Sequence, residues 1–108
     1  MILIDANVAM EYRKIPVFFY KSQIAFTRPV FEEIKELAEA KKEKVLLELI
    51  KGVKIIETKE KNADKSMVEA AVSQRLKVAT FDRILIDQLK KAGVHVLTSR
   101  GEIIRALN

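Results

Sequence analysis

Short apolar runs alternate with longer amphipathic stretches along the whole chain, and that alternation limits the folds open to it. Ile2-Leu3-Ile4, Gln23-Ile24-Ala25-Phe26, Val53-Lys54-Ile55-Ile56, Lys77-Val78-Ala79-Thr80 and Val94-His95-Val96-Leu97 read as five strands. Helical patterns lie between them. Asn7 to Arg13 is a short helix or turn. Val30, Ile34, Leu37 and Ala38 share one face of a helix with Thr27 as N-cap and Pro29 in its first turn. Val45, Leu46, Leu49 and Ile50 share another, stopped by Gly52 as C-terminal cap. Asn62 opens a helix with Met67, Val68, Ala71 and Val72 on its inner face. A further helix from about Asp82 carries Ile84, Leu85 and Leu89 and ends before Gly93, and the last contains Ile103, Ile104 and Leu107. Strands alternating with helices imply right-handed crossovers and a parallel sheet covered on both faces. The expected fold is α/β, a three-layer α/β/α sandwich on about five parallel strands. At 108 residues, positions 1–108 are expected to form one domain around one core.

There is no cysteine, which excludes disulfides and thiolate metal sites and fits a reducing cytosol. The longest apolar runs, such as Ile15-Pro16-Val17-Phe18-Phe19-Tyr20, fall far short of the ~20 residues of a membrane helix. Met1-Ile2-Leu3-Ile4-Asp5 reads as a strand without a basic flank, so no signal peptide, no membrane partner and a cytoplasmic location are expected. The net charge of +5, from 20 basic and 15 acidic residues, makes a polyanion a plausible partner, although Lys and Glu coating helices give the same balance.

Open parallel sheets bind ligands past the carboxyl ends of their strands, where strand order reverses. Asp5 follows the first strand directly, and Asp82 comes just after the fourth. In a doubly wound sheet of order 3-2-1-4-5 those strands are neighbours and the two carboxylates meet at the switch point. Glu33 lies in the first turns of the helix after strand two, and Asp64 in the first turn of the helix after strand three. Four acids thus fall at one structural level, each past a strand. Carboxylates brought together repel, and stay ionised at neutral pH only if a cation or strong donors compensate them. Oxygen ligands without His or Cys point to a hard ion, Mg²⁺ or Mn²⁺, which can activate water against a phosphodiester. Singly, each acid has a plainer explanation. Asp64 and Asp82 suit helix N-termini, worth about 0.3–1 kcal/mol each, and Glu33 belongs to a Glu32-Glu33…Glu36 cluster that alone reads as a solvated face.

Taken in order, these residues resemble the PIN-domain family. Ile2-Leu3-Ile4-Asp5-Ala6-Asn7-Val8 resembles its opening strand and D-x-N motif, and Pro29-Val30-Phe31-Glu32-Glu33-Ile34 its second block. Ala63-Asp64-Lys65-Ser66-Met67 resembles the third block, Val78-Ala79-Thr80-Phe81-Asp82 the fourth, and Gly93-Val94-His95-Val96 the last strand. The resemblance spans essentially the whole chain. It implies Mg²⁺- or Mn²⁺-dependent cleavage of RNA, with Asp5, Glu33, Asp64 and Asp82 as catalytic metal-binding acids. Asn7 and Thr80 would steady the site through hydrogen bonds. It further implies a VapC-type toxin with an antitoxin or other protein partner, or an RNA-processing nuclease, in either case commonly a homodimer. The chain departs from the pattern at Lys65, where many relatives have a second Asp, and at Ala6, where a hydroxyl residue is usual. The stretch between Asp5 and Glu33 is also short.

Arg13, Lys14 and Arg83 are the basic residues nearest in sequence to the expected cleft and are candidates for phosphate contacts. His95 reads as structural, Lys41-Lys42-Glu43-Lys44 and Lys59-Glu60-Lys61 as solvated loops. Phe18, Phe19 and Tyr20 suit either core packing or a partner interface. No Gly-rich phosphate loop is present, against a nucleotide-dependent kinase or dehydrogenase. An aspartyl-phosphate enzyme also begins with an Asp after strand one, but needs a second Asp where this chain has Asn7. The remaining rival is a degenerate, non-catalytic PIN-like module that binds RNA or a protein.

Overall fold

Leu3, Ile4, Ala25, Phe26, Val78 and Ala79 are wholly shielded from solvent. Side chains alternate between the faces of a strand, so both faces here must be covered, which a parallel sheet between two helical layers achieves. The computed structural model describes residues 1–20 and 22–107. Its strands are β1 (Ile2–Ile4), β2 (Ile24–Thr27), β3 (Lys54–Ile56), β4 (Lys77–Ala79) and β5 (Val96–Leu97). All neighbours are parallel, in the order β3-β2-β1-β4-β5. Around them lie α1 (Ala6–Glu11), α2 (Arg28–Ala40), α3 (Lys44–Lys51), α4 (Ala63–Gln74), α5 (Arg83–Lys91) and α6 (Arg100–Leu107). A 3-10 helix, Pro16–Tyr20, precedes β2. No helix among the described residues is long and apolar enough to cross a membrane.

The strand order expected from the sequence is the order found, with strand ends differing by a residue or two. At β1 the order reverses, and the chain leaves β1, β2, β3 and β4 into helices whose first turns rim one pole of the sheet. The start of several helices is fixed by local chemistry. Asn62 Oδ1 accepts from Lys65 N–H at 3.0 Å to open α4, and Asp82 Oδ1 accepts from Ile84 and Leu85 N–H at 2.9 and 3.2 Å to open α5. Gly93 ends α5 at φ +79°, with Gly93 N–H donating to Lys90 C=O and Val94 N–H to Leu89 C=O, the two bonds of a Schellman motif. Gly52 also stops its helix, but at φ −85°, so no left-handed turn is involved.

Helix faces differ from expectation at their margins. Leu37, Val45, Val72, Ile84 and Ile104 are exposed, Val45 by 66%. Successive helical residues are 100° apart, so an apolar residue one step beside the buried stripe can point to water. On α4 the buried set is Ser66, Met67, Ala70 and Ala71, and the three small residues among them let the helix lie close to α2 and β2. Phe18 and Phe19 are buried. Phe18 stacks on Tyr12 at 4.6 Å and meets Phe19 edge-on, leaving only Tyr20 of that trio exposed, by 73%. Glu43, expected in a solvated loop, is instead half-buried in an ion pair with Arg13.

Adjacent apolar residues at the start of α5 separate burial from hydrophobicity. Leu85 is 0% exposed and Ile84 68%. Urea denaturation is expected to show Leu85→Ala losing about 2–5 kcal/mol, and Ile84→Ala changing stability by less than about 0.5 kcal/mol.

Candidate functional site

The first strand carries a carboxylate into the interior at its end. Asp5 is 7% exposed. Its N–H donates to Ala79 C=O at 3.0 Å, continuing the β1–β4 ladder one residue past the strand. Its side chain is then pinned twice: Oδ1 accepts from Ala6 N–H at 2.8 Å, capping α1, and Oδ2 accepts from Thr80 Oγ1 at 2.6 Å. Thr80 is fully buried and in turn accepts from Asp82 N–H at 3.1 Å. One hydroxyl therefore orients Asp5 from β4 and fixes the backbone from which Asp82 projects. Asn7 Oδ1 accepts from Phe81 N–H at a long 3.4 Å, holding the same loop from α1.

Asp82 meets its plainer reading as a helix cap and keeps one oxygen uncommitted. Its Oδ1 is the cap of α5, while Oδ2 has no hydrogen-bond partner among the described residues. Glu33 and Asp64 have neither a hydrogen bond nor an ion pair on their carboxylates among those residues. They are brought near each other by helices α2 and α4, whose starts are joined by a buried hydroxyl pair. Ser66 Oγ donates its one proton to Ala63 C=O at 2.6 Å, so Thr27 Oγ1 is the donor across the 2.8 Å bond to Ser66. Thr27 sits at the N-cap position of α2 as expected but makes no side-chain cap bond. This pairing was not legible in the sequence, because neither residue lies in a pattern that points to the other.

Neighbouring carboxylates act on Asp5, Glu33 and Asp64. The Asp5 carboxyl is held above its ordinary 3.8 by burial, against the bonds from Thr80 and Ala6, and Asp64 and Asp82 push it further up. Burial, then Asp5, Asp64 and Glu36, raise Glu33 above its ordinary 4.5. Burial, then Asp82, raise Asp64. No basic side chain appears among the groups acting on these three. Glu32, by contrast, lies 3.9 Å from Arg28, which also grips Glu57. Lys65 points elsewhere, into a groove with Glu60, Val68, Glu69 and Gln88.

The donor set fits a hard divalent cation: oxygens only, mutually repelling, and without a compensating cation of their own. As the side chains stand, no three acids among the described residues are close enough to ligate one ion. Asp5 and Asp82 are fixed by hydrogen bonds and Glu33 and Asp64 are not. The site adjoins an open groove of about 570 Å³ on the Glu33 side, lined also by Glu36 and Glu60.

The basic residues expected beside the cleft separate. Arg13 lies beyond the far end of α1, donating to Glu43 and to Met10 C=O, with Lys14 next to it. A six-residue helix carries them about 9 Å down from Asp5, so nearness in sequence did not place them at the acids. Arg83 stays at this pole, in the first turn of α5. His95 is exposed, just before β5.

No protein-family model matches the chain, and no curated protein matches it. Solved structures do. The crystal structure of PAE2754 from Pyrobaculum aerophilum superposes with a TM-score of 0.68 at 18% identity, over 99% of this chain and 97% of that one. SSO1118, a PilT N-terminus domain protein from the hyperthermophilic archaeon Sulfolobus solfataricus, superposes with a TM-score of 0.64 at 13% identity, over 99% and 93%. The fold is PIN-like.

The raised carboxyls fix a pH dependence. Unfolded, Glu33 and Asp64 lose their protons near their ordinary values of 4.5 and 3.8; folded, they lose them at higher pH. Their contribution to stability is therefore complete below the unfolded values and declines as pH rises through the folded ones. In metal-free buffer, Glu33→Gln and Asp64→Asn should raise the urea midpoint at about pH 7 and leave it nearly unchanged at about pH 3. Equal effects at the two pH values would show that the carboxylates do not repel.

Proposed function

We propose that the chain is a metal-dependent endoribonuclease, with Asp5, Glu33, Asp64 and Asp82 as its acidic centre. The observation that carries this reading is a set of four acids at the switch point of a PIN-like sheet, of which Asp5, Glu33 and Asp64 are each pushed up by burial and by neighbouring carboxylates with no basic side chain acting on them. Mg²⁺ or Mn²⁺, when bound, supplies Lewis acidity and a water of lowered pKa for attack on a phosphodiester. Asp5 and Asp82 are the pre-set ligands, each locked by hydrogen bonds to Thr80 or to the α5 amides. Glu33 and Asp64 carry oxygens free to complete the set. Thr80 acts as a positioning residue: the proton it donates to Oδ2 fixes the rotation of the Asp5 carboxylate. In the cell such an enzyme would serve as the toxin of a toxin–antitoxin pair or in RNA processing, and association with a cognate antitoxin is what separates the two. It would be a homodimer, as the family resemblance implies, and would work in the cytoplasm, as the lack of cysteine suggests.

A second reading is favoured by one observation, that no three acids stand at ligating distance. On it, the chain is a non-catalytic PIN-like module that binds RNA or a protein. The two diverge on chelation. A nuclease loses cleavage of a labelled single-stranded RNA in EDTA and regains it with Mn²⁺; a binding module holds the RNA with a salt-dependent affinity indifferent to EDTA.

Asp5→Asn is expected to lower Mn²⁺-supported cleavage by about 100-fold or more, and Thr80→Val by about 10- to 100-fold with a higher Mn²⁺ requirement. Excess Mn²⁺ should raise the melting temperature of the wild type, by a stabilisation of about 2.7 kcal/mol at a hundred times Kd, and leave Asp5→Asn unmoved. Cleavage equal in wild type and Asp5→Asn would sink the assignment.

A further inference from the structure

The two grooves that flank the acids are opposite in charge. On the Glu33 side, five glutamates face two cations, and one of those, Arg28, is already paired with Glu57 and Glu32. On the Asp82 side, a second groove of about 360 Å³ is lined by Phe81, Arg83, Ile86, Asp87, Lys90 and Thr98. Arg83 and Lys90 make no ion pair among the described residues, and Asp87, four residues past Arg83, pairs with neither. Arg100, which begins α6 at this pole, is held by Glu11. Thr98 donates to Glu102 at 3.3 Å, beside the bond from Ser99 to the same carboxylate at 3.1 Å, so its hydroxyl oxygen remains available as an acceptor only. A polyanion lying across the acids is repelled on one side and meets two uncommitted cations on the other.

The second groove has the parts of a nucleotide site. Its volume is at the low end of the ~300–1,000 Å³ of small-molecule pockets. Arg83, Ile86 and Lys90 recur at i, i+3 and i+7, so one face of α5 carries a cation at each end, about 10 Å apart along the axis, with an apolar residue between. Phe81, one residue before Asp82, is only partly buried and lines the groove from the loop after β4. An aromatic ring beside two cations suits an unpaired base and its phosphates, because a base in a duplex has no free face to stack. Continuity with Asp82 puts that base next to the acids.

We propose that Phe81, Arg83, Lys90 and Thr98 form a subsite for one nucleotide of single-stranded RNA adjoining the phosphate that is cleaved, so that the strand leaves the acidic centre along α5 and β5. Phe81 stacks the base, and Arg83 and Lys90 take the phosphates. Thr98 offers its oxygen to a base or ribose donor. The subsite rests on the ribonuclease reading.

The test is steady-state cleavage of a labelled uridine decamer with Mn²⁺, together with anisotropy of the same probe, on the full chain. Arg83→Ala, Lys90→Ala and Phe81→Leu are compared with Lys91→Ala, which removes an equal charge from the neighbouring position outside the groove. Circular dichroism melts check folding, and the exposed Lys90 keeps the test valid if Phe81→Leu is unstable. Each groove variant is expected to raise KM about ten-fold, and Lys90→Ala to reduce the salt slope of log affinity by about 0.7, with Lys91→Ala close to wild type. If the wild type cleaves and the groove variants behave like Lys91→Ala, the subsite is wrong and the nuclease reading stands. If the wild type neither cleaves nor binds the decamer, both fall.

Discussion

A carboxylate taken out of water at the end of the central strand sets the terms for everything around it. Asp5 is surrounded by strands and helices, and an isolated charge there would be driven to its neutral form. Two donors oppose that, the Ala6 amide and the Thr80 hydroxyl, and both exist only if α1 starts at once after β1 and β4 lies beside it. The pairing of β1 with β4 thus supplies the hydroxyl donor that offsets part of the cost of burying this acid. The parallel order around β1 sends the neighbouring crossovers away from β1 and opens the cleft into which its other three acids project.

Three of these four acids destabilise the folded chain at neutral pH, since burial and mutual repulsion hold their pKa values up. Such a set is tolerated because its scaffold is apolar and tightly closed elsewhere: Leu3, Phe26, Ile34, Met67, Leu85 and Leu89 are all without solvent contact. The polar bonds inside the fold concentrate near the acids, in the Thr27–Ser66 pair and the Thr80 relay. They tie α2 to α4 and β1 to β4, which are the elements that present Glu33, Asp64, Asp5 and Asp82. These bonds hold the elements that carry the acids, while burial and repulsion act on the carboxylates themselves.

Much of this was legible in the sequence for a physical reason. Strand and helix periods differ, so the five apolar runs and their order in the chain could be read directly, and the placement of Asp5 and Asp82 followed once β1 and β4 were neighbours. What was not legible depends on distance in space alone. Ser66 is one hydroxyl residue in a helix until Thr27 arrives 39 residues away in sequence. Arg13 is close to Asp5 in number, but α1 carries it to the opposite end, where it meets Glu43. The margins of the helix faces, such as Val72 and Ile84, depend on how each helix rolls against the sheet, which local periodicity leaves undetermined to within a residue.

The net charge of +5 does not by itself locate a path for a polyanion, and Arg13, Arg28 and Arg100 are already paired with acids. What matters is the difference between the two sides of one pole. Coulomb interactions between exposed charges fade over about 10 Å in ordinary salt, so a phosphate over the acids responds to the nearest few side chains and hardly to the total. Those are glutamates beside Glu33, and Arg83 and Lys90 beside Asp82. Helix dipoles do not set that difference, since α2 and α4 also begin at this pole, beside the glutamates, as α5 does beside Asp82. Capping and chemistry are not competing explanations for Asp82. The two amides that donate to its Oδ1 hold the carboxylate in place, and its Oδ2 has no hydrogen-bond partner among the described residues.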